Sequence, residues 1–310
     1  MIPNLCELVH QYRDVNYVQE TTKLTKNIHP ILDSCQLDDL YVFGDSLCDI
    51  GNAFDVTKKA MDEGRPPSPP YFQGRFSNGP VWVEYLALLL GLTSKRSHNF
   101  AVGGANTGSN NTFIPNNPLG LPGLQQQIDT FTTTLKTKNQ SANPRALYII
   151  WAGANDYLGA GVTNPTMPIE NLSKAVVGLA AVGAKNIMVV NLPDLGKLPA
   201  TNKNIEQSIA LNTLSQAHNS GLASSLKTLR KSFKTSINII LYDINSLFNQ
   251  VLEEPTKFGF TNVIDAELDK LAQVQLSTDQ FFFWDVIHPT TTTHIILAKS
   301  VIPLLSLLMV

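Results

Sequence analysis

The stretch LYVFGDSL, residues 40–47, passes from four apolar residues into a glycine and a serine. A run of Leu, Tyr, Val and Phe without polar alternation is typical of a strand buried on both faces of a parallel sheet. Gly44 permits a tight turn, so Ser46 stands just beyond the carboxyl end of this strand. Ligands of open α/β sheets bind at that edge. The stretch therefore predicts a parallel sheet with Ser46 at its ligand-binding edge.

Four further apolar runs match the first one. The predicted strands are Leu40–Phe43, Asn99–Val102, Ala146–Trp151, Asn186–Val190 and Ile237–Tyr242. Segments with helical character alternate with them or follow them: Asn78–Leu90, Leu124–Leu135, Ile169–Val182, Ile205–Phe233 and Ile295–Val310. This alternation predicts a doubly wound parallel sheet with helices on both faces, a three-layer α/β/α fold. Residues 1–38 have weak periodicity, so we expect an N-terminal arm followed by one domain over 39–310.

The composition of the 310 residues indicates a folded protein that does not bind nucleic acid. Hydrophobic residues make up 43% of the chain, which is enough for a large core and excludes intrinsic disorder. The 23 Lys and Arg residues are balanced by 25 Asp and Glu, which gives a formal charge of -2. No basic surplus is left to neutralise a phosphate backbone, and a nucleic-acid partner is therefore not expected.

Cysteine usage and the distribution of charge bear on the cellular location. Cys6, Cys35 and Cys48 show no CxxC spacing, so we expect reduced thiols rather than disulfides or a cysteine zinc site. Charged residues interrupt the first twenty positions, which lack the apolar run of an export signal. The apolar C-terminal run contains Lys299 and Pro303 and is shorter than the roughly 20 residues that span a bilayer. These observations favour a cytoplasmic location.

Ser46 is a candidate nucleophile if a base and an orienting acid lie near it. In the run DVIH, Asp285 stands three residues before His288, which lets the carboxylate meet one ring nitrogen while the other faces the serine. Taken alone, Ser46 is more typical of a helix N-cap and the Asp-His pair of an exposed surface. His294 is a rival base without a suitably spaced acid. His218 lies on a helical apolar stripe, where a core residue is expected.

A reacting carbonyl also needs hydrogen-bond donors for the charge that develops on its oxygen. Gly103 and Gly104 follow the second predicted strand and can turn a backbone N–H toward the site, and Asn155 follows the third strand with a side-chain amide. Taken separately, the glycines are more typical of a turn and Asn155 of a helix cap. The turn-rich segments 62–80 and 106–123 are predicted as long loops around the site, with plain surface loops as the alternative.

Four blocks combine these features in one order along the chain: FGDSLCDIGN (43–52), NFAVGGAN (99–106), WAGANDY (151–157) and FWDVIHPT (283–290). In this order the sequence resembles the GDSL, or SGNH, family of serine esterases and lipases. Three further segments are similar to the family: GRFSNGPVWVEYLA (74–87), NLPDLG (191–196) and FGFTN (258–262). The resemblance therefore extends over roughly residues 39–310.

The family resemblance assigns a role to each candidate residue. It implies that Ser46 is the nucleophile and that His288 is the general base held by Asp285. It also implies an oxyanion hole formed by the backbone N–H of Ser46, by Gly104 and by Asn155. A flavodoxin-like five-stranded sheet is implied as well, together with a reaction that needs no metal and no organic cofactor.

The expected reaction is cleavage of a carboxylic ester, on a lipid or another acyl ester, because the blocks resemble the bacterial phospholipase and glycerophospholipid acyltransferase branch. One alternative is transfer of the acyl group to an alcohol instead of water. Another class of reaction, phosphoester hydrolysis, would use Asp45, Asp49, Asp285 and His288 as a metal-binding cluster. The non-enzyme alternative is a binding module without turnover. We expect transient contact with a membrane surface and no obligate protein partner.

Overall fold

Five parallel strands form the central sheet of the computed structural model, which describes residues 37–270, 280–305 and 308. They run in the order β2-β1-β3-β4-β5, and all four pairings are parallel. The strands are β1 (Asp39–Gly44), β2 (Ser97–Asn99), β3 (Ala146–Trp151), β4 (Asn186–Val190) and β5 (Asn238–Tyr242). This order is that of a flavodoxin-like doubly wound sheet and confirms the predicted fold class. Its switch point, where ligands bind in such sheets, lies between β1 and β3.

Helices connect the strands and cover both faces of the sheet. In the described residues they are α1 (Asn52–Met61), α2 (Trp82–Leu89), α3 (Leu124–Thr137), α4 (Ala154–Leu158), α5 (Thr166–Ala181), α6 (Ile205–Phe233), α7 (Ile244–Glu253), α8 (Glu267–Lys270) and α9 (Thr291–Leu305). Short 3-10 helices span Ser94–Arg96, Leu195–Lys197 and Pro255–Phe258. A second, two-stranded parallel sheet pairs β6 (Asn262–Ala266) with β7 (Phe281–Phe283).

The central strand β3 is buried on both faces. Leu147, Ile149 and Trp151 pack into one hydrophobic cluster, together with side chains of α2, α7 and α9. Tyr148 and Ile150 pack into a second cluster with side chains of α3, α5 and α6. Since successive side chains of a strand point to opposite faces, the two clusters lie on opposite sides of the sheet. Each fully buried aliphatic or aromatic side chain stabilises the fold by roughly 1.5–3 kcal/mol, and together they give the three predicted layers.

The second strand differs from its predicted position, 99–102. β2 ends at Asn99, but Phe100 and Val102 still donate their backbone N–H groups to the carbonyl oxygens of Val42 and Gly44, at 2.8 and 3.0 Å. Because β2 lies at the edge of the sheet, this part of the chain is paired on one side only. The apolar run marks the continuation of β2 toward the site rather than the strand itself.

The helix predicted over 205–233 has those bounds in the structure, whereas other predicted helices shift at their ends. α2 begins at Trp82 instead of Asn78, because Pro80 disfavours helical backbone at the residue before it. α9 begins at Thr291, four residues before the predicted start. Helices α1 and α7 were not predicted from the sequence, and α1 buries only Ala53 and Thr57, too few side chains for an apolar stripe.

The predicted N-terminal arm, residues 1–38, lies outside the described residues except for its last two positions. Cys6 and Cys35 fall in that part, and Cys48 is a buried free thiol. Residues 306–307 and 309–310 of the predicted C-terminal helix also lie outside the description, and one domain over 39–310 stays a prediction. Across the described ranges, none of the helices combines enough length with enough apolar character to span a bilayer.

Candidate active site

Ser46 lies just beyond the carboxyl end of β1, as predicted. Gly44 has a φ of 155°, and a Cβ on it would lie 2.1 Å from the carbonyl oxygen of Trp151 in β3. The Gln127 side chain bonds both the N–H and the C=O of Gly44, at 2.8 and 2.9 Å. Only glycine permits this close approach of β1 to β3, and the approach fixes the turn that presents Ser46.

The structure brings Ser46, His288 and Asp285 together. Ser46 Oγ lies 2.8 Å from His288 Nε2, and His288 Nδ1 lies 2.7 Å from Asp285 Oδ2. Because a carboxylate only accepts hydrogen bonds, Nδ1 carries the proton in this pair and Nε2 is free to accept the serine proton. This is the order of groups that activates a serine hydroxyl.

The Asp285 carboxylate is held by its own turn as well as by the imidazole. Its Oδ1 accepts the backbone N–H groups of Ile287 and His288, at 2.8 and 2.7 Å. Burial alone raises the pKa of Asp285, but the His288 ring and these N–H donors outweigh burial and hold that pKa below its ordinary value. Asp285 is therefore ionised at neutral pH, and its charge stabilises a protonated imidazole beside it.

Three groups near Ser46 can donate hydrogen bonds to a reacting carbonyl oxygen. Within the described part of the chain, the backbone N–H groups of Ser46 and Gly104 have no acceptor. Gly104 has a φ of 78°, and a Cβ on it would lie 2.4 Å from Phe113, so glycine is needed at this position. The Asn155 amide donates to Asp45 Oδ2 at 3.3 Å and to the Ala105 carbonyl at 3.2 Å. Both of these bonds are long, so a nearby anion can compete for the amide.

One pocket of about 600 Å³ contains Ser46, His288, Asp285, Gly104 and Asn155 in its lining. The remaining walls come largely from the two turn-rich segments singled out in the sequence. The first contributes Glu63, Arg65, Pro66, Pro67, Tyr71 and Phe76, and the second contributes Thr112 and Phe113. The prediction that these loops rim the site is confirmed.

A family model described as GDSL-like Lipase/Acylhydrolase matches residues 40–301. The chain belongs to this family. The matched range contains all four GDSL blocks, from Phe43 to Thr290, so the resemblance inferred from the sequence is confirmed. The family name describes enzymes that release acyl groups from their esters, which is the reaction class that the blocks predict.

Three relatives of known name are similar to this GDSL-family chain. Thermolabile hemolysin of Vibrio parahaemolyticus is 30% identical over 284 residues, covering 86% of this chain and 63% of the hemolysin. Phosphatidylcholine-sterol acyltransferase of Aeromonas hydrophila is 29% identical over 313 residues, covering 84% of this chain and 88% of that enzyme. Secreted effector protein SseJ of Salmonella typhimurium is 28% identical, covering 86% and 64%. The chain thus spans slightly under two thirds of the hemolysin and of SseJ.

Asp49, in the first GDSL block, links that block to the second. Its Oδ1 accepts the backbone N–H groups of Gly51 and Asn52, and its Oδ2 accepts those of Ala53 and Gly103. The bond to Gly103 is 2.8 Å long and fixes the residue directly before Gly104. Asp49 therefore positions the second block beside Ser46. The N-cap position of α1 is Gly51 and not Asp49, so the usual capping signal does not identify this aspartate in the sequence.

The geometry does not support the alternative that Asp45, Asp49, Asp285 and His288 hold a metal ion. Asp49 is occupied by four backbone N–H groups, and Asp45 accepts the N–H of Leu47 and the Asn155 amide. Among residues 37–270, 280–305 and 308, no three His, Cys, Asp or Glu side chains are grouped to bind a metal.

The two other histidines considered in the sequence lie in the core. His294 is fully buried, and burial lowers its pKa to about 3. It does not line the pocket, so the structure offers no support for it as a rival base. His218 is also fully buried, with its Nδ1 2.6 Å from the Tyr157 hydroxyl, and burial lowers its pKa to about 4. The prediction that His218 is a core residue is confirmed.

Proposed function

We propose that this chain cleaves carboxylic esters of acyl groups through a covalent acyl-serine intermediate. In this proposal Ser46 is the nucleophile, His288 is the general acid-base and Asp285 holds and stabilises the imidazole. The observation that carries the proposal is the pair of short contacts, 2.8 Å from Ser46 Oγ to His288 Nε2 and 2.7 Å from His288 Nδ1 to Asp285. Family membership provides independent support for an acyl-ester reaction.

In the first half-reaction, Ser46 Oγ attacks the ester carbonyl carbon while its proton passes to His288 Nε2. The carbonyl oxygen becomes an oxyanion and accepts hydrogen bonds from the N–H groups of Ser46 and Gly104 and from the Asn155 amide. As the tetrahedral intermediate collapses, the bond from carbon to the leaving oxygen breaks. His288 then gives its proton to that oxygen, which leaves as an alcohol.

In the second half-reaction, a water molecule replaces the alcohol. His288 Nε2 takes a proton from the water as its oxygen attacks the acyl carbon, and the same donors bind the second oxyanion. The bond to Ser46 Oγ breaks, the proton returns to this oxygen, and a carboxylic acid is released. The negative charge of Asp285 stabilises the imidazolium in both halves, since it lies 2.7 Å from Nδ1.

We further propose that the substrate carries a long acyl chain, as a lipid does. A second, mainly apolar groove of about 490 Å³ lies between the segment 157–165 and α6, and Leu158 lines both this groove and the pocket around Ser46. Its apolar lining comprises Tyr157, Leu158, Val162, Pro165, Leu211 and Leu214. Burial of each methylene contributes about 0.8 kcal/mol, so a chain that extends from Ser46 past Leu158 gains affinity with every carbon it buries there.

Contact with a lipid surface agrees with the side chains beside the pocket. Val286 and Ile287, between Asp285 and His288, are 41% and 37% exposed, and Ile287 lines the pocket. Exposed apolar side chains at the mouth of a pocket favour docking on an apolar surface. We propose a transient contact of this rim with a membrane that holds the substrate.

Acyl transfer to an alcohol is the second candidate function. It is favoured by the similarity to the Aeromonas acyltransferase, of which this chain covers 88%. The same acyl-Ser46 intermediate serves both reactions, because only the second nucleophile differs. Products formed with and without a sterol in the assay distinguish the two reactions. A sterol ester indicates transfer, and free fatty acid alone indicates hydrolysis.

The proposed nucleophile is tested with Ser46→Ala. We expect hydrolysis of p-nitrophenyl esters to fall by about 10⁴-fold or more, since the remaining groups act only through binding and the oxyanion donors. Ser232→Ala, which removes a hydroxyl from an exposed position of α6, is the matched control and keeps full activity. Activity of Ser46→Ala within a few-fold of wild type, in a folded protein, would reject the mechanism.

A further inference from the structure

The segment 71–80, here called the brace, runs beside the segment that carries Asp285 and His288. Five contacts follow one another along the two segments. The Tyr71 hydroxyl donates to Asp285 Oδ2 at 2.8 Å, and the Phe76 ring packs on the His288 ring with 5.1 Å between centroids. The other three are hydrogen bonds: from the Ser77 hydroxyl to the Pro289 carbonyl at 2.9 Å, from the Thr291 N–H to Asn78 at 2.8 Å, and from the Thr291 hydroxyl to the Pro80 carbonyl at 2.9 Å. The brace thus holds the acid-base segment along its length, and Tyr71 is the member that reaches the acid.

Tyr71 completes the set of donors around the Asp285 carboxylate. Oδ1 accepts two backbone N–H groups, and Oδ2 accepts the His288 ring and the Tyr71 hydroxyl. A carboxylate offers about four acceptor sites, so these donors use its full capacity. Within the described residues, Tyr71 is the only donor to Oδ2 besides the histidine it orients. The hydroxyl therefore helps to set the direction of the oxygen that His288 faces.

Tyr71 is itself fixed and keeps its proton. Its ring meets the Trp284 ring edge-on, at 6.0 Å between centroids and 88° between planes. Burial and the neighbouring Asp285 charge raise the pKa of Tyr71 far above its ordinary value, so the phenol remains a hydrogen-bond donor at every pH of interest. The hydroxyl donates to Asp285, so it is placed to orient this carboxylate and not to take a proton from a substrate.

We propose that Tyr71 is a positioning residue, whose hydroxyl holds the Asp285 carboxylate in the orientation that aligns His288 with Ser46. This inference rests on the proposed function and adds to it a residue that acts through Asp285, without touching the reacting atoms. Loss of the hydroxyl leaves Oδ2 with the imidazole alone, so the carboxylate turns more freely and its charge is less dispersed.

The test compares Tyr71→Phe with Tyr148→Phe, a matched control. Tyr148 is fully buried and donates one hydroxyl bond of 2.9 Å to the Asn143 carbonyl, away from the pocket. We expect Tyr71→Phe to lower kcat by about 10- to 100-fold, because a small misplacement of the catalytic imidazole costs up to about that much, with KM within about twofold. Tyr148→Phe keeps the kinetic constants of wild type.

A double-mutant cycle with Asp285→Ala, which removes the acceptor of the Tyr71 hydroxyl, separates positioning from other roles. If Tyr71 acts through the carboxylate, Tyr71→Phe has no further effect in the Asp285→Ala background. Three results would each overturn the inference. The first is an equal effect of Tyr71→Phe in both backgrounds, and the second is a kcat of Tyr71→Phe equal to that of wild type. The third is a rise in KM alone, which would indicate that Tyr71 contacts the substrate.

Failure of the proposed function is recognised separately. A fluorophosphonate probe that leaves Ser46 of the wild-type chain unlabelled would reject the nucleophile, irrespective of Tyr71. The NMR resonance of the His288 Nδ1 proton then tests Tyr71 without turnover. A shift of this resonance in Tyr71→Phe, and not in Tyr148→Phe, supports positioning, whereas an unchanged resonance contradicts it.

Discussion

Replacement of His294 by leucine should make the protein less sensitive to acid while leaving its activity intact. His294 lies on α9, is fully buried, and has no hydrogen-bond partner for either ring nitrogen among the described residues. Burial, and after it the charge of His288, lowers the pKa of His294 to about 3. In an unfolded chain the same side chain has a pKa of about 6.5. His294 therefore stays neutral in the folded protein over a range in which it is protonated after unfolding.

The size of the effect on stability follows from the difference between the folded and the unfolded pKa of His294. A folded pKa below the unfolded value means that the contribution of His294 to stability is complete above about pH 6.5 and is lost as pH falls toward 3. Between about pH 7.5 and 4.5 the free energy of unfolding falls by roughly 3 kcal/mol through this residue, because the slope is 1.36 kcal/mol per pH unit over about two units below pH 6.5. Leucine does not titrate, so His294→Leu escapes this loss.

Comparison of the variant with wild type at each pH separates the contribution of His294 to stability from the contributions of other buried titratable groups. Burial raises the pKa of Asp45 to about 7 and of Asp49 to about 6, and their contributions act in the opposite direction, being present at low pH and lost as pH rises. These contributions cancel when the two proteins are compared at each pH. The difference in the free energy of unfolding between His294→Leu and wild type is then expected to grow by roughly 3 kcal/mol from about pH 7.5 to 4.5.

Urea unfolding followed by tryptophan fluorescence at several pH values measures this difference. His294→Gln is the matched control, because it keeps a polar side chain but removes the titration, and it should show the same dependence on pH. Parallel stability profiles for wild type and both variants would refute the reasoning. Ester hydrolysis near pH 7.5 should stay within about twofold of wild type, and a large loss would instead identify His294 as a participant in the reaction.

Two further predictions concern the pocket around Ser46. For Asn155→Ala we expect kcat to fall by about 10²- to 10³-fold with little change in KM, since the amide acts on the oxyanion and not on the bound ester; an unchanged kcat on p-nitrophenyl esters would remove Asn155 from the oxyanion hole. For wild type we expect kcat/KM to rise about fourfold with each methylene added to the acyl chain, until the apolar groove beside Leu158 is filled. Leu158→Trp should abolish this gain for long esters and should leave the hydrolysis of acetate esters unchanged. A chain-length profile that Leu158→Trp leaves unchanged would place the acyl chain elsewhere.

Much of the fold could be predicted because its signals are local. Each buried strand of a doubly wound sheet is a short apolar run, and the runs over β3 and β4 gave the observed bounds. Helix α6 likewise carries apolar residues near helical spacing over its whole length, and its predicted bounds agree with the structure. Of the missed helices, α7 does carry such a signal, because Ile244, Phe248 and Val251 stand at helical spacing and are buried. Helix α1 is held at its start by Asp49 and buries few side chains, so no periodicity reveals it.

The residues of the site also fall into those that the sequence predicts and those that it does not. Ser46, Asn155 and the glycine turn could be predicted because each follows a strand, and the carboxyl ends of parallel strands meet at one edge of the sheet. Tyr71 could not, because its partner Asp285 is 214 residues away and nothing in the local sequence points toward it. Its contact with the acid depends on the path of a long loop, which apolar periodicity does not determine.

Three buried carboxyls surround Ser46, and their partners explain why only one of them is suited to stabilise a cation. Asp49 accepts four backbone N–H groups, yet burial still raises its pKa to about 6, because these neutral donors do not fully replace water. Asp45 has fewer donors, and its pKa rises further, to about 7. Asp285 is slightly more exposed, with 12% of its side chain accessible, and the imidazole of His288 beside it reverses the direction of the shift. The partner that can carry a positive charge, more than the number of hydrogen bonds, therefore keeps Asp285 ionised, and the DxxH spacing recorded in the sequence is the feature that supplies this partner.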